Sequence, residues 1–176
     1  MRLLFLTLAC AIAPACLLAD VIDSAPGGFT VKETLTINAA PQDVWAKIFH
    51  VGDWWSSAHS FSRDAHNLSL DEKVGGCFCE KLPNGGGVKF MEVVNIAPPK
   101  AIVLHGALGP LLSMAATGSM QIQLSAVDGG TKVEVTYAVA GYSAAGLNTL
   151  AAPVDGVLKE QIIRLKNLIE HGDPAK

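Results

Sequence analysis

Residues 28–48 read GFTVKETLTINAAPQDVWAKI and predict a strand followed at once by a short helix. Apolar and polar side chains alternate through the first half, which is typical of a strand with one buried face. Asn38 is a plausible N-cap, Pro41 suits the first helical turn, and apolar residues then recur at helical spacing up to Phe49. We therefore expect a half-buried strand and a helix that ends before Gly52.

Six further strand-like runs follow the aromatic segment DWWSSAHSF. They are NLSLDEKV, CFCEKL, VKFMEVVNI, AIVLHG, GSMQIQLSAV and TKVEVTYAVAGY. Turn-forming residues such as Gly75-Gly76 and Asp128-Gly129-Gly130 separate them. None is followed by the long helix that a parallel crossover requires, so the runs predict an antiparallel meander.

The C-terminal region predicts one long helix, because apolar residues recur every three or four positions between Leu147 and Ile169. Pro153 suits its start, with a short turn ahead of it. From Pro153 to Glu170 such a helix is about 27 Å long at 1.5 Å per residue, enough to cross a sheet and cover its apolar face. The fold class is therefore α+β.

The first 19 residues, MRLLFLTLACAIAPACLLA, are typical of a secretory signal peptide, with an early charge at Arg2, an apolar run and small residues at the end. We expect cleavage after Ala19 or Ala15. A membrane anchor is the alternative, but a spanning helix needs about 20 apolar residues and Pro14 interrupts this run. Lipid modification of one of the two cysteines in this segment, Cys10 or Cys16, is a further alternative.

The organisation that follows is a signal peptide over residues 1–19, a flexible segment over residues 20–28 and one domain over residues 29–171. The chain has 176 residues, half of them hydrophobic, which suits one core. We expect a periplasmic or secreted protein with no transmembrane span after cleavage.

The charge and motif content exclude several partners. Loss of Arg2 with the signal leaves 12 basic against 16 acidic residues, a net charge of -4, which gives no reason to expect nucleic acid binding. The chain has no P-loop and no dinucleotide fingerprint, since Gly85 to Gly87 lie in a predicted hairpin with no helix behind them. We therefore expect no nucleotide and no cofactor.

In its order of elements the chain resembles the START-like helix-grip superfamily (SRPBCC), and within it the polyketide cyclase/dehydrase-like and heat-shock-ATPase-activator-like branch. The motifs are Ala40-Pro41 before Val44-Trp45, the pair Trp54-Trp55, Gly75-Gly76 opening a strand, and Asn95-Ile96-Ala97-Pro98-Pro99 closing one. The resemblance covers about residues 29–170. It implies a curved antiparallel sheet of about seven strands wrapped on the long C-terminal helix, with a cavity between them for a hydrophobic ligand.

Two carboxylates share the apolar face of their strands: Glu33 with Val31 and Leu35, and Glu80 with Phe78 and Leu82. A carboxylate in the cavity could bind a ligand hydroxyl or act as a general base. The alternative is that both lie at strand ends open to water, or that a bulge changes which side chains of the strand face inward.

Other candidates for the cavity come from aromatic, imidazole and flexible apolar side chains. Trp54 and Trp55 suit a wall or gate, or plain core, and His59 and His105 could donate hydrogen bonds, His59 also being a weak catalytic candidate. The remaining candidates are Phe90, Met114, Met120, Tyr137 and Leu158. The apolar loop LGPLLSMAATG is either a flexible lid or a loop packed on the core.

Cys77 and Cys79 are spaced so that both thiols project from one face of a strand. A two-thiolate metal site is a weak alternative, since the second ligand pair of a zinc site is absent. A disulfide needs a shorter Cα separation than an extended strand gives, so we expect free thiols or a local kink.

The sequence favours an exported binding protein for a small hydrophobic ligand, lipid-like or polyketide-like, because it shows no catalytic constellation. One alternative is a cyclase or dehydratase in which Glu80 or Glu33 removes a proton while Tyr137 or His59 polarises a carbonyl. The other is a protein-interaction module.

Overall fold

The computed structural model describes residues 21–176, so the predicted signal peptide lies outside the described residues. The described part of the chain contains eight strands and three α-helices. The strands are β1 (Val21–Ala25), β2 (Gly28–Ile37), β3 (Leu68–Leu70), β4 (Cys77–Lys81), β5 (Gly87–Ala97), β6 (Ala101–Gly106), β7 (Ala115–Val127) and β8 (Gly130–Tyr142). The helices are α1 (Pro41–Ile48), α2 (Val51–Trp54) and α3 (Ala151–His171).

All eight strands form one curved antiparallel sheet in the order β1-β2-β8-β7-β6-β5-β4-β3. Strands β3 to β8 follow one another as the predicted meander, and β8 closes against β2 along ten residue pairs from Gly28–Ala140 to Ile37–Thr131. The chain thus has the expected α+β class, with a curved sheet and a long C-terminal helix.

The sheet has eight strands rather than about seven, because residues 21–25 pair with β2. This segment was expected to be flexible. Its side chains are mostly exposed, so it carries no apolar alternation. This segment pairs with β2 through backbone hydrogen bonds, which every sequence can form. The Pro26-Gly27 turn that follows it reverses the chain, so that β2 runs back alongside it.

Helix α3 packs against β2 with the apolar stripe that the sequence predicts. Leu158, Ile162 and Leu165 are buried on it. A 3₁₀ turn at Leu147–Leu150 precedes the helix, as expected, but the helix starts at Ala151, two residues before Pro153. Gly172, with φ of 73°, ends it in the left-handed conformation that glycine adopts most easily.

The start of α1 corrects one expectation. Pro41 is the first helical residue, so Ala40 rather than Asn38 takes the N-cap position. The backbone N–H of Asn38 instead donates to Glu170 Oε1 at 2.8 Å, near the end of α3. Across residues 21–176, no helix combines the length and the hydrophobicity that crossing a membrane would require.

Candidate functional site: an apolar cavity under the C-terminal helix

A cavity of about 550 Å³ lies between the start of α3, the inner face of β3 to β5, and two loops. One loop follows α2 and the other joins β6 to β7. The residues that line it are Trp55, Ala58, His59, Ser60, Phe61, Arg63, Leu68, Phe78, Phe90, Leu108, Gly109, Pro110, Leu150, Pro153, Val154, Val157 and Leu158. Its volume is within the usual range of small-molecule sites.

Aromatic rings form one wall of the cavity. Trp55 packs edge-on against Phe78 with ring centroids 5.4 Å apart, and Phe78 lies 5.2 Å from Phe90. Phe61, more than half exposed, extends the row at 5.8 Å from Phe90. Trp54 does not line the cavity. Its ring lies 5.7 Å from that of Trp55, and its indole N–H donates to the backbone oxygen of Lys47 at 3.0 Å.

Glu80 is buried on the inner face of β4, as the parity of CFCEKL predicts, but it does not line the cavity. Its two carboxylate oxygens accept hydrogen bonds from the backbone N–H groups of Phe61 at 3.0 Å and Ser62 at 2.6 Å. Both donors belong to the loop after α2. A buried charge requires such partners, and here they fix the loop over the cavity.

His59 lies at the mouth of the cavity, where its Nε2 is 3.0 Å from Glu160 of α3. The indole N–H of Trp55 donates to the backbone oxygen of His59 at 3.1 Å. A second tie between loop and helix is buried: Gln161 accepts from the backbone N–H of Ser56 at 2.7 Å. These contacts attach the loop to α3 as well as to β4.

Glu33 and Tyr137 are also buried on the inner face of the sheet, yet neither lines the cavity. Burial raises the pKa of the Tyr137 phenol well above its ordinary value, and the nearby backbone of Leu108 opposes the shift in part. Asp155, which sequence reasoning missed, is buried on the stripe of α3 with Leu158, and its Oδ1 has no hydrogen-bond partner within residues 21–176. The sequence could have indicated it, because Asp155 is an acidic residue at a position where the helical spacing of the stripe predicts an apolar one.

His105 was expected in the cavity and instead points to the outer face of the sheet. In AIVLHG, Ile102 and Leu104 face inward, so strand alternation turns His105 outward. It borders a separate depression of about 520 Å³ there. That depression is lined largely by outward-facing polar and small side chains, so we take the inner cavity as the candidate site.

Phe90 and Leu158 line the cavity as expected, whereas Met114 and Met120 do not. Met120 is buried opposite Leu104, and Met114 is half-buried just before β7. In the loop LGPLLSMAATG, Leu108 to Pro110 border the cavity while Leu111 is fully buried. This loop therefore packs on the core and closes one side of the cavity.

Cys77 and Cys79 form a disulfide, which corrects the expectation of free thiols. The pairing of β4 with β5 shifts register between Phe78 and Cys79, so the local kink that the sequence allowed is present. It brings the two Cα atoms to 5.4 Å, inside the range of disulfides. With both sulfurs joined, the weak metal alternative has no thiolate ligand. No group of three or more metal-binding side chains occurs in residues 21–176.

No protein-family model matches the sequence, and no curated protein matches it either. Solved structures do match. The Aha1 dimer from Colwellia psychrerythraea superimposes with a TM-score of 0.59 at 19% identity, over 81% of this chain and 97% of that one. CalU16 from Micromonospora echinospora gives 0.57 at 16%, over 84% and 77%. DynU16, from the dynemicin biosynthetic locus, gives 0.57 at 16%, over 84% and 49%.

These matches and the arrangement of sheet and helix define the class of fold: the chain has a helix-grip fold, in which a curved antiparallel sheet packs on a long C-terminal helix. At such low identity the matches establish the fold alone, since one fold hosts many functions.

Proposed function

We propose that this protein is an exported binding protein that holds a small hydrophobic molecule between its sheet and its C-terminal helix. The observation that carries the proposal is the cavity of about 550 Å³ walled by Trp55, Phe78 and Phe90. Ligand sites are concave and mostly apolar, with a few polar groups that orient the ligand. Here His59, Ser60 and Arg63 supply those groups.

Binding is favoured over catalysis because the cavity presents few groups that could move a proton. A general base must lie within hydrogen-bond reach of its substrate. Both oxygens of Glu80 are engaged by the loop backbone. The one imidazole among the side chains that line the cavity belongs to His59, and its ring is paired with Glu160.

Export is supported by two independent features. Residues 1–19 have the pattern of a cleavable signal. The Cys77–Cys79 disulfide is of the kind that persists in oxidising compartments such as the periplasm. Expression of the full chain with a C-terminal tag, followed by cell fractionation and mass measurement, tests this part. We expect a periplasmic or secreted product that begins near residue 20.

Native mass spectrometry of that product, followed by organic extraction, tests the binding function. We expect one hydrophobic compound at one copy per chain. A matched pair of variants locates it. Val157→Phe inserts a ring into the cavity, whereas Ile163→Phe adds the same ring on an exposed face of α3.

The expected result is that Val157→Phe loses the compound while Ile163→Phe keeps it. Titration with Nile red, a neutral hydrophobic dye, should show the same contrast in protein freed of its ligand. A protein that carries no compound and binds no dye would overturn the proposal.

A further inference from the structure

One full positive charge borders the apolar cavity, and no side chain in the described part of the chain pairs with it. Arg63 lines the cavity, and within residues 21–176 its guanidinium forms no hydrogen bond or ion pair. The two other polar side chains named above in the lining are engaged: His59 is paired with Glu160, and the Ser60 hydroxyl donates to the backbone oxygen of Ser57 at 3.1 Å. The cavity lining contains no acidic residue.

The backbone is shaped to hold Arg63 at this position. Its φ is 62°, a left-handed conformation that is uncommon for residues other than glycine and often marks a functional site. Both neighbours are fixed. Ser62 donates its backbone N–H to Glu80, and its hydroxyl donates to the backbone oxygen of Asp64 at 3.0 Å and accepts from Asn67.

The acid that follows Arg63 in the chain does not neutralise it. Asp64 Oδ1 instead accepts from the backbone N–H of His66 at 3.0 Å. The chain as a whole is acidic, with a net charge of -3, so carboxylates are plentiful. The structure nevertheless places none of those in residues 21–176 within ion-pair distance of Arg63.

The start of α3 adds a second positive feature at the same cavity. Leu150, Pro153 and Val154 line it, and the first turn of this 21-residue helix has neither an acidic residue nor a side-chain cap. The N-terminal end of a helix carries a partial positive charge. Asp155 is the nearest acid of the helix, but it is buried and does not line the cavity.

We propose that the ligand is a hydrophobic molecule with a single carboxylate, and that Arg63 binds this carboxylate at the cavity mouth. The inference rests on the proposed binding function and names its ligand class. The planar guanidinium presents a fork of N–H donors that matches both oxygens of a carboxylate. The rings and aliphatic side chains deeper in the cavity take the apolar body.

Competition against Nile red tests the ligand class. Dodecanoate and methyl dodecanoate are matched competitors that share the chain and differ in charge. Wild-type protein should bind dodecanoate about tenfold more tightly than the ester at low salt, which corresponds to about one charge-assisted contact. Raised salt should reduce the difference.

Arg63→Met should bind both competitors equally, with each affinity obtained from competition at the Nile red affinity measured for that variant. Arg63→Lys should keep part of the preference, because it keeps the charge and loses the fork. Lys100→Met is the control, since it removes one positive charge from an exposed turn away from the cavity.

The outcomes separate the two proposals. If Nile red does not bind wild-type protein, the binding function fails and this inference falls with it. If Nile red binds but the acid and the ester compete equally, or if Arg63→Met keeps the preference, the carboxylate inference is overturned while the binding function stands. Near-UV circular dichroism and urea unfolding that match the wild type show that Arg63→Met is folded.

Discussion

Glu80 on β4 accepts a hydrogen bond of 2.6 Å from the backbone N–H of Ser62, in the loop that covers the cavity. A second bond to the same carboxylate comes from Phe61, and Arg63 follows directly. The alternation of side chains along β4 predicts that this carboxylate faces inward, and in the structure it holds the backbone of a loop. This buried carboxylate holds the segment that leads into Arg63, although the carboxylate does not itself line the cavity.

Glu80→Gln should destabilise the protein by about 1–3 kcal/mol, because the amide NH₂ group faces one of the two backbone N–H donors and leaves it unsatisfied. Urea unfolding measures the loss, and hydrogen exchange at the amides of residues 61 and 62 should become faster. Glu92→Gln is the matched control, since Glu92 is half-exposed on the outer face and, among residues 21–176, pairs only with Lys89. Equal stability of the two variants would contradict the role assigned to Glu80.

The strands and the last helix could be predicted because apolar side chains recur along them with the period of a strand or of a helix. Val31, Val133 and Leu158 are buried where those periods place them. Strand β1 could not be predicted in this way, since it joins the sheet through backbone hydrogen bonds and exposes most of its side chains.

The candidate site was predicted less completely than the fold. Trp55, His59, Phe90 and Leu158 were expected and line the cavity, because aromatic or apolar residues near a loop or on a stripe have few other places to lie. Arg63 was missed, since a loop residue with left-handed backbone belongs to no periodic pattern. His105 was wrongly predicted to face the cavity, because the alternation of side chains along its strand was not taken into account.

Reduction of the Cys77–Cys79 disulfide should cost about 1–2 kcal/mol of unfolding free energy, the low end for disulfides, because it closes a loop of only three residues. Urea unfolding of the oxidised and reduced forms measures this. Protein purified without residues 1–19 should show no free thiol in denaturant before reduction and two after it. Two free thiols in the oxidised preparation would contradict the disulfide.

Glu134 should make folding depend on pH in the acid range. Lys132 and Lys32 hydrogen-bond its carboxylate and lower its pKa from 4.5 to about 2. A lowered pKa in the folded state adds stability above about pH 4.5 and loses it as the pH falls towards 2. The ion pairs are partly exposed, so the contribution is about 1 kcal/mol or less.

Urea unfolding of wild type and Glu134→Gln between pH 7 and pH 2 measures this contribution. The two proteins should differ at pH 7 and converge as the pH falls. Asp128→Asn, in the exposed turn between β7 and β8, removes a carboxylate that forms no ion pair within the described chain, and it is the matched control. A constant difference between wild type and Glu134→Gln would contradict the assignment.

Tyr137 should make the folded protein sensitive to alkali. Burial raises the pKa of its phenol above the ordinary value of 10.0, because the ionised form is poorly solvated among apolar neighbours. A raised pKa in the folded state means that stability is complete below about pH 10 and falls as the pH rises further. The unfolded chain ionises first and is thereby favoured.

The chain has two tyrosines, so tyrosinate absorbance of the Tyr142→Phe variant during an alkaline titration reports on Tyr137 alone. Tyr142 is 71% exposed, so this variant should keep the wild-type fold, and Tyr137 in it should ionise only together with the loss of near-UV circular dichroism. Tyr137→Phe should unfold at higher pH than the wild type. If Tyr137 ionises reversibly with the fold intact, it is not enclosed as described, and the inner face of β8 must be open to water.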